Sequence, residues 1–92
     1  MREKTAAIVV NYNDSETTLA QLRRIRDYAA LDAVIVVDNA STDHSLEALR
    51  AEEGAKVTVL AAEKNGGYGA GNNLGIRYAA ARGFTYALIA NP

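Results

Sequence analysis

"TAAIVVNYNDSETTLAQLRRIRDYAALDAVIVVD", residues 5–38, decides the fold. It opens on "TAAIVVN" (Thr5–Asn11), a continuous apolar and β-branched run of the kind seen in strands buried on both faces. It closes on a second such run, "AVIVVD" (Ala33–Asp38). Between them Leu19, Leu22, Ile25 and Tyr28 recur at helical spacing. Asn13 and Glu16 have the spacing of a capping box, so the helix is expected to start at Asn13. Two buried strands joined by one helix make a β-α-β unit, whose strands pair in parallel.

The same alternation continues downstream. "STDHSLEALRAEEG" predicts a second helix, capped near Thr42 or Asp43 and closed by Gly54. "KVTVLAA" (residues 56–62) predicts a third strand. A helix is expected from about Ala70 to Arg82, ended by Gly83, and "TYALIAN" (residues 85–91) predicts a fourth strand. The order β-α-β-α-β-α-β with short connections predicts an α/β fold, a three-layer Rossmann-like parallel sheet. Its expected strand order is 3-2-1-4, which puts a topological switch point between strands 1 and 4. The loop after strand 1, the end of strand 2, the segment after strand 3 and Asn91 all face that crevice, and polar residues gather at each.

Composition narrows the function classes. Ninety-two residues make one domain. Ten basic against eleven acidic residues give a net charge of −1, with no basic patch to attract nucleic acid. There is no cysteine for a disulfide or a thiolate metal site. The apolar run near the N-terminus is too short for a signal-peptide core or a membrane span. A cytoplasmic protein without a transmembrane segment is expected. "TYALIANP" ends the sequence on a strand, so the chain looks stopped in mid-fold.

"EKNGGYGAGNNLG" (residues 63–75) holds five glycines and three asparagines in thirteen residues. A flexible connector with a helix N-cap near Asn72 would explain some of this. Gly and Asn also tolerate positive φ, glycine permits close approach, and the following helix offers free N–H groups to an anion. A binding role is therefore favoured. A dinucleotide site would need glycines in the first strand-to-helix turn, which here is "VVNYNDSE", and no P-loop pattern occurs. A receiver-type domain would need its acceptor aspartate after strand 3, where "AAEK" stands. Asp38 ends an otherwise apolar strand and must be solvated or partnered. It can accept from a base N–H or a ribose hydroxyl, or it can form an Asx-turn with Asn39. Tyr12 is a turn aromatic or a stacking surface for a base. His44 reads as a solvated helix residue, and Tyr78 and Tyr86 as core or half-core aromatics.

"AIVVNYND", "VVDNASTDHS", "NGGYGAGNNLGIRYA" and "YALIANP" stand in the order and spacing of family 2 glycosyltransferases with a GT-A fold. The resemblance covers nearly the whole chain and is nearest to the rhamnosyltransferase-like branch. It implies a single partial domain over residues 1–92, the nucleotide-sugar-binding half of a truncated GT-A fold. It further implies that Val10 and Tyr12 border the base, with Tyr12 over its face, and that Asp38 accepts the imide N–H of uracil or thymine. Asn39, Asn65, Gly66, Gly67, Gly71 and Asn72 would line the ribose, diphosphate and sugar. Asn91 would begin the metal motif, written N-P-D in this branch, but Pro92 is the last residue. Mg²⁺ or Mn²⁺ would then serve the complete enzyme and not this fragment, which is expected to be inactive alone. The complete enzyme would be inverting and would transfer a sugar, rhamnose among the candidates, from a UDP or dTDP donor. Its setting would be cell-envelope polysaccharide synthesis, peripheral to the inner face of the membrane. A non-catalytic nucleotide-binding or self-assembling module is the alternative. An exposed strand 4 would pair with a second copy, giving a homo-oligomer.

Overall fold

The computed structural model describes residues 3–90. Seven elements follow in the order β1 (Thr5–Asn11), α1 (Ser15–Ile25), β2 (Ala33–Asp38), α2 (Ser45–Arg50), β3 (Val57–Ala61), α3 (Tyr68–Ala81) and β4 (Tyr86–Ile89). The four strands form one sheet in the order β3-β2-β1-β4, every pairing parallel. Both the α/β class and the 3-2-1-4 order are therefore as the sequence predicts. Asn11 lies opposite Asp38 in the β1–β2 register, and Asp38 opposite Ala61 across β2–β3. That register brings the carboxyl ends of the two central strands level.

Alternating side chains of β1 and β2 feed two cores. Ala7, Val9, Val34 and Val36 pack with Leu22 of α1 and Leu49 of α2 on one face. Ala6, Ile8, Val10, Ile35 and Val37 pack with Ala79 of α3 on the other. The result is three layers, with the strands between helices. Burial on both faces explains why these two strands read as unbroken apolar runs.

Local boundaries differ from expectation for identifiable reasons. Helix α1 is capped by Asp14, whose Oδ1 accepts the Thr17 N–H at 3.3 Å, and not by Asn13. Asn13 sits at φ 51° and turns its side chain toward another loop. Tyr28 lies beyond α1 and is exposed, so it extends no apolar face. Helix α2 ends at Arg50, before Gly54, whose N–H reaches the Val57 carbonyl in a turn. Its first N–H group, that of Ser45, donates to Asp43 Oδ1 at 2.8 Å. Tyr86 is exposed where a half-core aromatic was expected.

The glycine-rich stretch is mostly helix. α3 starts at Tyr68, after Gly67 at φ 94°, so Asn72 is an internal residue and no cap. Gly71, Gly75 and Ala79 recur every four residues on its buried face. A Cβ on Gly71 would lie 2.9 Å from Val10 Cγ1, and one on Gly75 would lie 2.5 Å from Ile8 Cγ2. What approaches this backbone so closely is the sheet itself. Gly83, at φ 84°, ends the helix as expected, its N–H returning to the Ala80 carbonyl.

The two sheet edges differ. On β3 the Val59 N–H is met by Glu53 Oε2 at 3.2 Å. On β4 all four residues are exposed, Leu88 at 56 %. Among the described residues no helix is long and apolar enough to cross a membrane.

Candidate nucleotide-binding site

The site is built where β1 and β2 end. Both strands deliver a polar residue immediately after an apolar run, Asn11 and Asp38, and both are buried at 1 % exposure. Burial of a carboxylate demands hydrogen-bond donors, and three are present. Asn11 Nδ2 donates to Asp38 Oδ1 at 3.0 Å. The Ser41 hydroxyl donates to the same oxygen at 2.6 Å, and the Ser41 N–H donates to Oδ2 at 3.1 Å. Asn11 is fixed in turn by the Thr18 hydroxyl of α1, which donates to its Oδ1 at 2.6 Å.

Asparagine side chains tie the surrounding loops together. Asn13 Oδ1 accepts the N–H groups of Thr42 and Asp43 at 2.8 and 3.3 Å. Its own N–H donates to Ser41 Oγ at 2.9 Å, and its Nδ2 to Thr42 Oγ1 at 3.1 Å. The loops after β1 and β2 are thereby joined. Asn39 Nδ2 donates to Asn65 Oδ1 at 3.0 Å and to the Gly67 carbonyl at 2.9 Å, joining the end of β2 to the start of α3. Asn65 Oδ1 also accepts the Gly67 N–H at 2.8 Å. Ala40 takes φ 61°, uncommon for alanine, between these two anchored ends. Hydrogen bonding from Ser45 holds the neighbouring Asp43 carboxyl below its ordinary value.

The residues singled out in the sequence are distributed as follows. Val10 is buried beneath Gly71 of α3. Tyr12 projects from the loop after β1, 46 % exposed. Asp38 and Asn39 form the floor, Asn65, Gly66 and Gly67 the exposed turn above it, and Gly67 opens α3 with a positive φ that glycine suits. Asn72 is half-buried in the first turns of α3, and its Oδ1 is buried without a hydrogen-bond partner. Of these residues, Val10, Asn39 and Gly71 lie together, and Asn39 is bonded to Asn65 and to Gly67, whereas Tyr12, Gly66 and Asn72 adjoin them along the chain. Asn91 lies outside the described residues. Among the described residues no three His, Cys, Asp or Glu side chains cluster.

Three participants are not evident from the sequence pattern: Asn11, Thr18 and Ser41. Asn11 ends an apolar run just as Asp38 does, and that parallel was the available signal. Thr18 shows only as a polar residue on the inward side of α1, where it is buried with Gln21 and Leu22.

A family model described as glycosyl transferase family 2 matches residues 6–89. A search of curated proteins found no match. Among solved structures, the chain is similar to a mannosyltransferase from Pyrobaculum calidifontis in complex with GDP-Man and Mn²⁺. The TM-score is 0.73 and the identity 26 %, over 86 % of this chain and 25 % of that one. The likeness extends to the GT-A fold, of which this sheet is a part. A family match running from the second residue of β1 to the last of β4 takes in every element described above, and the chain belongs to glycosyl transferase family 2.

Proposed function

We propose that this chain is the donor-binding part of an inverting glycosyltransferase that takes a UDP- or dTDP-linked sugar. The observation that carries this reading is Asp38, an ionisable acceptor held by three donors at the end of a buried strand. Tyr12 is exposed on the neighbouring loop, where it can cover a base. The start of α3, capped by no side chain, presents N–H groups and a positive dipole end suited to a diphosphate. The buried, unpartnered Asn72 Oδ1 suits a sugar or ribose hydroxyl.

Asp38 is 1 % exposed, so a base reaches it only as loop 39–44 draws back. Transfer itself belongs to the complete enzyme, because the chain spans 25 % of the mannosyltransferase it matches. There the acceptor site and general base would be added, and rhamnose is the sugar the motifs favour. Mg²⁺ or Mn²⁺, with Asn91 as a ligand, would offset charge on the leaving diphosphate in that enzyme. The setting proposed is the cytoplasmic face of the membrane, in polysaccharide synthesis.

The experiment is calorimetric titration with UDP, dTDP and GDP, with and without Mn²⁺, using Asp38→Ala as control. Binding of UDP or dTDP that the variant loses supports the donor site. Absence of any nucleotide binding favours the second reading, a self-assembling module. That reading has its own observation, the exposed strand β4, through which a homo-oligomer is proposed.

A further inference from the structure

Thr18 and Asn11 are fully buried polar residues that touch no proposed ligand position. Their chemistry has a direction. Asp38 Oδ1 is an acceptor, so the Asn11 group facing it at 3.0 Å must be the Nδ2 donor. That leaves Asn11 Oδ1 toward Thr18, whose hydroxyl must then donate, at 2.6 Å. Flipping the amide would set two acceptors against each other. The Thr18 hydroxyl thus fixes the Asn11 amide, and the amide fixes the carboxylate. Ser41 supplies two further donors while loop 39–44 covers the site, but Asn11 and Thr18 lie outside that loop, so they still hold Oδ1 when it draws back and Oδ2 is left to the base.

We infer that Thr18 and Asn11 are positioning residues that hold Asp38 as an acceptor-only carboxylate, and that the site thereby selects a base presenting a ring N–H, uracil or thymine, over cytosine. The corresponding ring nitrogen of cytosine is an acceptor and meets Oδ2 with repulsion. The inference rests on the donor-nucleotide role proposed above and names the residues that set its base preference.

The test compares UDP with CDP, which share ribose and diphosphate, on the parent chain, Thr18→Val and Thr18→Ser. The parent is expected to prefer UDP. Thr18→Val keeps the shape and removes the hydroxyl, and it should narrow the UDP/CDP ratio about fivefold, the scale of one neutral hydrogen bond. Thr18→Ser should restore the ratio. Thr18→Ala takes the place of Thr18→Val if the latter fails to fold, as judged by its amide spectrum. A ratio unchanged by loss of the hydroxyl, or narrowed but not restored by serine, overturns the inference while leaving donor binding intact. Failure of the parent to bind UDP, CDP or dTDP overturns the donor-site proposal itself and the inference with it.

Discussion

Asn11 and Asp38 end neighbouring parallel strands in direct register and are joined by a hydrogen bond of 3.0 Å from Nδ2 to Oδ1. Two polar residues at the tips of otherwise apolar strands thus satisfy each other across the strand boundary. Removal of either leaves buried groups without partners, which is costlier than the bond itself.

Asp38→Ala removes the acceptor of both Ser41 donors and leaves Asn11 Nδ2 only its longer bond of 3.4 Å to Ser41 Oγ. The expected loss is about 3 kcal/mol of stability, measured by urea denaturation. The same variant is expected to lose UDP binding under conditions where it remains folded. Unchanged affinity would remove Asp38 from the base site.

Gly75→Ala and Gly69→Ala should have opposite effects. The new Cβ at Gly75 meets Ile8 Cγ2 at 2.5 Å, whereas at Gly69 nothing lies within 4 Å. Lifting α3 off the sheet should cost about 2 kcal/mol at Gly75. At Gly69 the helix gains up to about 1 kcal/mol from the better residue. Denaturation midpoints decide, and equal shifts would deny the close helix–sheet approach.

Asn39→Ala removes both bonds that tie β2 to the start of α3. Faster amide hydrogen exchange at Gly67 and the first residues of α3 is the expected result, with exchange in the core of β1 little altered. Global acceleration would mean that Asn39 supports the whole fold and not this junction.

UDP binding should move the backbone amides of Asn39, Ala40 and Ser41, since the loop over Asp38 must yield to admit the base. Heteronuclear NMR titration checks this. Shifts confined to the start of α3, with none in loop 39–44, would place the nucleotide elsewhere.

The sequence was a good guide wherever a pattern had one physical meaning. The unbroken runs ending at Asn11 and Asp38 could only be strands covered on both faces, and their alternation with helices left few orders for the sheet. Glycine was harder to interpret. The same absence of a side chain serves a turn at Gly67, close packing at Gly71 and Gly75, and neither at Gly69. Spacing by four, shared with Ala79, separates the packing positions from the turn. Asparagine was ambiguous in another way. Asn13 was expected to cap α1, and instead it spans two loops, a role set by a partner almost thirty residues distant that no local window contains. For the same reason Thr18 went unnoticed: its importance lies entirely in what it faces.

The unequal edges of the sheet carry a consequence for how copies could join. Glu53 occupies a β3 N–H that a neighbouring strand would need, while β4 lies bare. In the language of polymer chemistry, copies that pair through β4 as proposed would each be a monofunctional unit. Two such units joined through β4 have used their reactive ends, and growth stops at the pair. Glu53→Ala should make the unit bifunctional and permit chains. Sedimentation of the parent and of this variant, across a range of concentrations, would distinguish a closed pair from an open-ended series.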